Sequence, residues 1–227
     1  MDIYEAILAR HSVRQYIDKK LPTEVIYALQ AECEGINEES GLHIQLATDE
    51  EKAFKGFLPK YGKFSGVQNY IALVGPKGPD FDEMTGYYGE RIVLKAQMLG
   101  LNTCWVALTV NKMKVKCEIA EKEKLGCIIA LGYGANQGVQ HKMRKIEDLC
   151  EVKMHMPKWF EQGMNAVVLA PSAVNQQHYK FILKANDTVE AVSTGGAYSK
   201  VDLGIAEYHF EIGAGNYPFK WADKPSD

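Results

Sequence analysis

Two periods of apolar and polar positions run along this chain, and the switches between them mark its elements. Residues 2–9 carry the helical period; Asp2 caps the segment, and Glu5, three residues on, completes a capping-box pattern. A second helix opens at Leu21-Pro22-Thr23-Glu24, with Val25, Ile26, Leu29 and Cys33 on one face. LHIQLAT alternates as a strand, with Leu42, Ile44 and Leu46 on one side; QNYIALVG is a second strand, stopped by Gly75-Pro76. GYYGERIVLKAQMLG reads as a buried helix punctuated by Gly100. TCWVALTV and CIIALGYG read as buried strands, with a charged helix or pair of turns over 112–124 between them.

Beyond Pro157 the order partly returns. WFEQGMNAVVLA is a helix, HYKFILKA a strand, and VDLGIAEYHFEIGAG a helix ending in glycine. Helix–strand–helix over about 22–100 is thus echoed over about 158–215, a pattern of internal pseudo-two-fold symmetry. The charged stretch KMRKIEDLCEVKMHMPKW is the expected crossover. The expected organisation is therefore a half over 1–150 and a second over 151–227, packed as one unit. Strands interleave with helices, yet hairpin-like runs also occur, which predicts an α+β fold with a mixed or antiparallel sheet flanked by helices.

Composition narrows the function classes. The 227 residues are 46% apolar and 24% charged, enough to bury a real core. A net charge of -3 carries no concentrated basic excess, so no nucleic-acid surface is expected. Five dispersed cysteines without a CxxC pair fit a reducing cytoplasm better than a disulfide framework. No apolar run approaches the ~18–20 residues that span a bilayer, and the first residues lack a secretory h-region, so a soluble cytoplasmic protein without a membrane partner is expected.

Several chemistries lack their fingerprints. There is no GxGxxG after a first strand, no GxxxxGK[ST], no GxSxG and no HExxH, and His141 and His155 stand too isolated to suggest a metal. Two segments remain. Arg10-His11-Ser12-Val13-Arg14 sets two guanidiniums four apart, around an imidazole and a hydroxyl, just past a helix end. Arginine matches phosphate oxygens bidentately, and serine adds an uncharged donor. Ala170-Pro171-Ser172-Ala173-Val174-Asn175-Gln176-Gln177 joins small residues, which admit a flat ligand, to amides suited to a heterocycle's edge. Cys104, in an apolar strand, is expected to be an inert thiol with a raised pKa. Most aromatics, Tyr87, Phe210 and Trp221 among them, read as packing residues.

Together, RHSVR, GLNTCWVAL, ALGYG followed by Lys142-Met143-Arg144, and APSAVNQQ resemble the nitroreductase family of flavoproteins, in pieces that cover most of the chain. APSAVNQQ stands near the C-terminus instead of soon after RHSVR, and QQHY replaces the usual aromatic after QP, as in a divergent branch of that family. The resemblance implies a nitroreductase-like fold and an FMN-dependent NAD(P)H oxidoreductase that reduces nitroaromatics, quinones or similar electron-poor acceptors by ping-pong hydride transfer. Other readings on the same scaffold are a non-catalytic flavin-binding or sensor protein, and a dehalogenase-like or flavin-processing enzyme. It further implies that Arg10 and Ser12, with His11 beside them, hold the FMN phosphate and ribityl chain, and that Arg14 lies near the pyrimidine end of the ring. Trp105, Val106, Ala107 and Leu108 would present backbone N–H groups to the flavin, Pro171, Ser172 and Asn175 would border it, and Lys142 and Arg144 would close over the phosphate. No side chain need act as a proton donor, so the catalytic set is empty. Partners are NADH or NADPH and a small aromatic or quinone acceptor, in a homodimer or a monomer that imitates one around a single flavin.

Overall fold

The computed structural model describes residues 1–54, 64–107, 114–153 and 155–223. The capping box forms as the spacing predicts: the Glu5 amide donates to Asp2 Oδ1 and the Asp2 amide to Glu5 Oε2, each at 2.8 Å. The helix it starts, α1 (Ile3–Ala9), ends with Arg10 at its C-cap. In α2 (Thr23–Ser40), Val25, Leu29, Cys33 and Ile36 are buried at helical spacing, and Gly41 closes the helix with φ 72°.

Four strands make the first sheet: β1 (Gln45–Ala47), β2 (Asn69–Pro76), β3 (Asn102–Val106) and β4 (Glu123–Gly132). Its order is β1-β2-β4-β3, antiparallel throughout. β2 is buried along almost its whole length because it is internal and covered on both faces. Between β2 and β3 runs α3 (Phe81–Met98). The second sheet holds β5 (Cys150–Val152), β6 (Tyr179–Leu183), β7 (Thr188–Ser193) and β8 (Lys220–Trp221), in that order. Here β6 and β7 are antiparallel, while β5 and β8 add in parallel at the edges. α4 (Ile146–Leu149), α5 (Lys158–Val167) and α6 (Ser199–Ala214) complete the chain. This is the α+β architecture that the pattern predicts, with two mixed or antiparallel sheets in place of one.

One expected element is absent among the described residues, and the chain forms others that the pattern does not mark. The described part of 112–124 contains no α-helix: β4 already begins at Glu123, and Lys116 is held instead by the Tyr70 hydroxyl, which accepts from its amide at 2.7 Å. Charge spacing alone does not nucleate a helix. The crossover 142–159 carries α4 and β5. The C-terminal arm adds β8 beside β7, with Trp221 paired to Val189.

Among the described residues, the two largest apolar clusters lie one in each half. One joins α2, α3 and the first sheet; the other joins α5, α6 and the second sheet around Phe160, Phe181 and Phe210. They meet where α3 crosses α6. A Cβ on Gly86 would lie 2.9 Å from the Val201 carbonyl carbon and 3.0 Å from the Ile205 amide nitrogen. A Cβ on Gly204 would lie 2.9 Å from the Glu83 carbonyl carbon and 2.7 Å from the Tyr87 amide nitrogen. The contacts are reciprocal, each glycine facing the residue three before and the residue one after its counterpart. An offset of 118 residues carries Gly86 onto Gly204, and carries β2, α3 and β3 onto positions overlapping β7, α6 and β8.

Glu207 is buried on α6 and faces Glu211; burial first, and that neighbour second, push its carboxyl up to about 8. Folding thus raises this pKa above its ordinary value of 4.5, so the protonated carboxyl favours the fold. That contribution is complete below about pH 4.5 and fades as pH rises through about 8. Thermal melting between pH 5 and 9 should therefore show stability falling toward alkaline pH, and Glu207→Gln should flatten the slope. Parallel slopes in the two proteins would refute the assignment.

Candidate active site

Beyond α1 the chain becomes extended and runs beside β3. Ser12 bridges to Thr103 in parallel, and the Val13 amide donates to Thr103 O at 2.9 Å. Successive side chains of an extended segment point to opposite sides. Val13 is buried in the core beneath the sheet. Ser12 and Arg14, on the other side, line a cavity of about 590 Å³. That size lies within the range of pockets for cofactors and small ligands.

The two halves share its walls. From the first come Ser12, Arg14 and the consecutive residues Cys104–Ala107 at the end of β3. From the second come Pro171–Val174 and the first two turns of α6, with Val201, Asp202 and Ile205. Among the described residues, the Arg14 side chain makes no hydrogen bond or ion pair, so it stands in this cavity as an uncommitted cation. Burial raises the pKa of Cys104, against the opposing charge of Arg14, which keeps it a thiol as its strand position predicts.

Not every residue of the two sequence motifs reaches the cavity. Arg10 turns inward and is only 3% exposed; its Nε lies 3.8 Å from Glu90 Oε1 and has no hydrogen-bond acceptor among the described residues. Burial lowers its pKa, and Glu90 opposes the shift. Glu90, fully buried on α3, also accepts from the Trp105 indole N–H at 2.9 Å and meets His209 Nε2 at 3.1 Å. The other ring nitrogen of His209 lies 3.0 Å from Ala166 O. One carboxylate thereby ties α1, α3, β3 and α6 together behind the cavity wall. His11 stands beside this network, half-buried, its pKa lowered by burial and by Arg10.

Asn175, Lys142 and Arg144 come together, but outside the cavity lining. Asn175 Nδ2 and Gln177 Nε2 both donate to Lys142 O, at 2.9 and 3.0 Å. Arg144 donates from its amide to Gln177 Oε1 and from its guanidinium to Gln177 O. Pro171 and Ser172 reach the lining; Leu108 lies outside the described residues.

Pattern reading missed Asp202, which lines the cavity and holds its loop. Asp202 Oδ1 accepts from the Ala173 amide at 2.8 Å, and Oδ2 from Gln176 Nε2 at 2.7 Å. The loop needs such restraint because Val174, Asn175 and Gln177 have φ of 45°, 59° and 48°, a region costly for a β-branched residue above all. Burial pushes the Asp202 carboxyl up to about 6, while the two hydrogen bonds pull it down. Its signal in the sequence is an acid among the apolar residues of the VDLGIA face.

With this geometry in view, the relationships of the chain are plain. Residues 2–214 match the family described as "Putative TM nitroreductase", and the chain belongs to that family. A solved Thermotoga maritima protein described as "a putative nitroreductase" is 26% identical, with a TM-score of 0.65 over 92% of this chain and 82% of that one. A Bacteroides thetaiotaomicron protein described as "Putative NADH dehydrogenase/NAD(P)H nitroreductase" is 19% identical, with a TM-score of 0.53 over 67% of this chain and 98% of that one. A Streptococcus pneumoniae protein of the nitroreductase family is 14% identical, with a TM-score of 0.53 over 67% of this chain and all of that one. The latter two share the fold. No curated protein matches the chain. Among the described residues, no helix is long and apolar enough to cross a membrane.

Proposed function

We propose that the chain is an FMN-dependent NAD(P)H oxidoreductase that reduces nitroaromatics, quinones or similar flat, electron-poor acceptors by ping-pong hydride transfer. The observation that carries this reading is the cavity between the halves, with an uncommitted guanidinium and a hydroxyl on one side and flat apolar walls on the others. Those residues fit FMN. Its phosphate and its reduced ring are anionic and call for Arg14 and Ser12, and its planar ring calls for walls such as Trp105, Val106 and Ile205. Membership of the nitroreductase family supports the same reading.

Bound FMN would take a hydride equivalent from the reduced nicotinamide and pass electrons to the acceptor. The chain's own residues do the rest. Arg14 sets positive charge near the ring, and Ser12 supplies a neutral donor. The Trp105–Ala107 stretch and the Pro171–Val174 loop border the ring and keep water from that side, leaving the mouth to donor and acceptor in turn. Lys142, Arg144, His11 and Asn175 act at the rim and in bracing the loop, and solvent supplies the proton. Arg10 works through Glu90 rather than by touching the phosphate. Residues 1–150 and 151–227 serve as the two halves of one site.

The purified chain should be yellow, or turn yellow with added FMN, and should bleach anaerobically with NADH or NADPH. Arg14→Ala should weaken FMN binding roughly 10- to 100-fold, the loss of one charge-assisted contact of about 1.5–3 kcal/mol, with melting of the flavin-free protein unchanged. Fluorescence titration reads the first effect and calorimetry the second; equal affinities in wild type and variant would remove Arg14 from the site.

A further inference from the structure

A second cavity, of about 270 Å³, opens on the other side of the α3–α6 crossing. From the start of α3 it is lined by Asp80, Glu83, Met84, Tyr87 and Tyr88. The offset that superposes the two glycines carries the first four of these onto Tyr198, Val201, Asp202 and Ile205, the four positions at the start of α6 that line the first cavity. On the far wall stands Trp221 of β8, as Trp105 of β3 stands in the first, although the offset carries Trp221 onto Thr103, two residues before Trp105. The two cavities are thus related by the pseudo-two-fold through Gly86 and Gly204.

We infer that the second cavity is the twin of the proposed flavin site, closed to flavin by Glu207, Glu211 and Trp221, so that each chain carries one FMN. The inference rests on the flavin reading above. Three differences close the twin. No basic residue lines it, whereas carboxylates line it from both helices, the reverse of what a phosphate requires. Glu211 bars its space, accepting from Tyr87 Oη at 2.5 Å and from Trp221 Nε1 at 2.7 Å, so two rings are drawn together where a flavin ring would enter. Glu207 occupies the place that Gly89 holds on α3 under the same offset. At Gly89 the bare helix lets the Trp105 ring lie against the backbone: an added Cβ would meet Trp105 Cζ2 at 3.1 Å. The first cavity keeps its breadth because that indole is tucked away, while the twin, with a carboxyl side chain at this point, has less than half the volume.

Native mass spectrometry of the FMN-saturated chain, with absorbance at the flavin band, tests this directly. One FMN per 25.4 kDa chain is expected. Two per chain would show the twin open, and one per two chains would show that a single chain does not carry a flavin of its own; either overturns the inference. A chain that takes up no FMN overturns the flavin reading itself, a failure distinct from the other two. Location follows from variants. Glu211→Gln and Trp221→Ala, each leaving Glu207 in the twin, should keep one FMN in the first cavity and wild-type bleaching, while Arg14→Glu should bind none. Should Arg14→Glu fail to fold by circular dichroism, Ala173→Trp, which fills the first cavity from its loop, replaces it. FMN retained in the Arg14→Glu or Ala173→Trp variant would place it in the twin and sink the proposal.

Discussion

Glu90→Ala should destabilise the chain by about 3–5 kcal/mol, the usual cost of removing one partner from a buried ion pair. Its melting temperature should fall by roughly 10 °C, at about 2–4 °C per kcal/mol for a domain of this size. The cause is what the carboxylate leaves behind. Arg10 becomes a buried charge without a counter-charge, and the Trp105 indole and the His209 ring each lose a partner. Taking both charges away together is a different matter. Arg10→Met combined with Glu90→Leu should recover much of the loss, because no unpaired charge remains to be desolvated. Chemical denaturation of the single and double variants forms the cycle; a double variant as unstable as the sum of its singles would show that the charges do not act as a pair. Arg10→Ala follows the same logic, since it strands Glu90. A flavin lost from that variant therefore reports a disturbed wall as readily as a missing phosphate contact.

Gly204→Ala should cost at least about 3 kcal/mol, at the upper end for overpacking, because the obstacle is backbone and not a side chain that can turn aside. The new methyl would meet the Tyr87 amide at 2.7 Å and the Glu83 carbonyl group, so α3 and α6 must separate along their length. Gly86→Ala should behave alike, from the other side of the crossing. Both cavities border these helices, so flavin affinity should fall along with stability. Gly35 in α2 supplies the contrast. An added Cβ there meets nothing within 4 Å, and Gly35→Ala should be neutral or stabilise by up to about 1 kcal/mol through helix propensity. If melting curves show Gly204→Ala and Gly35→Ala equally harmless, the close crossing is not what holds the halves together.

How far the sequence discloses this molecule depends on how local each determinant is. α1 is legible because its cap and its reciprocating glutamate lie three residues apart. α2 is legible because burial repeats at the helical period, and α3 and α6, buried on most sides, because a long apolar-rich run ends in glycine. β7 escaped notice because TVEAVS alternates only weakly and is half-buried on most of its length. The site divides in the same way. Ser12, Arg14 and the 171–172 pair sit in short motifs, and they line the cavity. Arg10 shares a motif with Arg14, yet it caps a helix and turns to Glu90, which lies eighty residues further along the chain. Motif spacing holds no record of such a partner. Asp202 illustrates the same limit, because the groups it holds become its neighbours only when α6 docks on the loop.

The α3–α6 crossing has a consequence for the order of assembly. The strands of the first sheet all lie within 45–132, so that sheet can pair before the later chain exists. Gly204 meets its counterpart only after a loop of more than a hundred residues has closed. Closing so long a loop carries an entropic penalty that local pairings escape, and domains emerge N-terminus first during synthesis. A nascent chain halted before α6 therefore presents the small-residue stripe of α3 to its surroundings, as a docking face waiting for a tail still to be made. Pulse-labelling hydrogen exchange during refolding should find β2 and β4 protected ahead of α6, and simultaneous protection of all three would rule this sequence out.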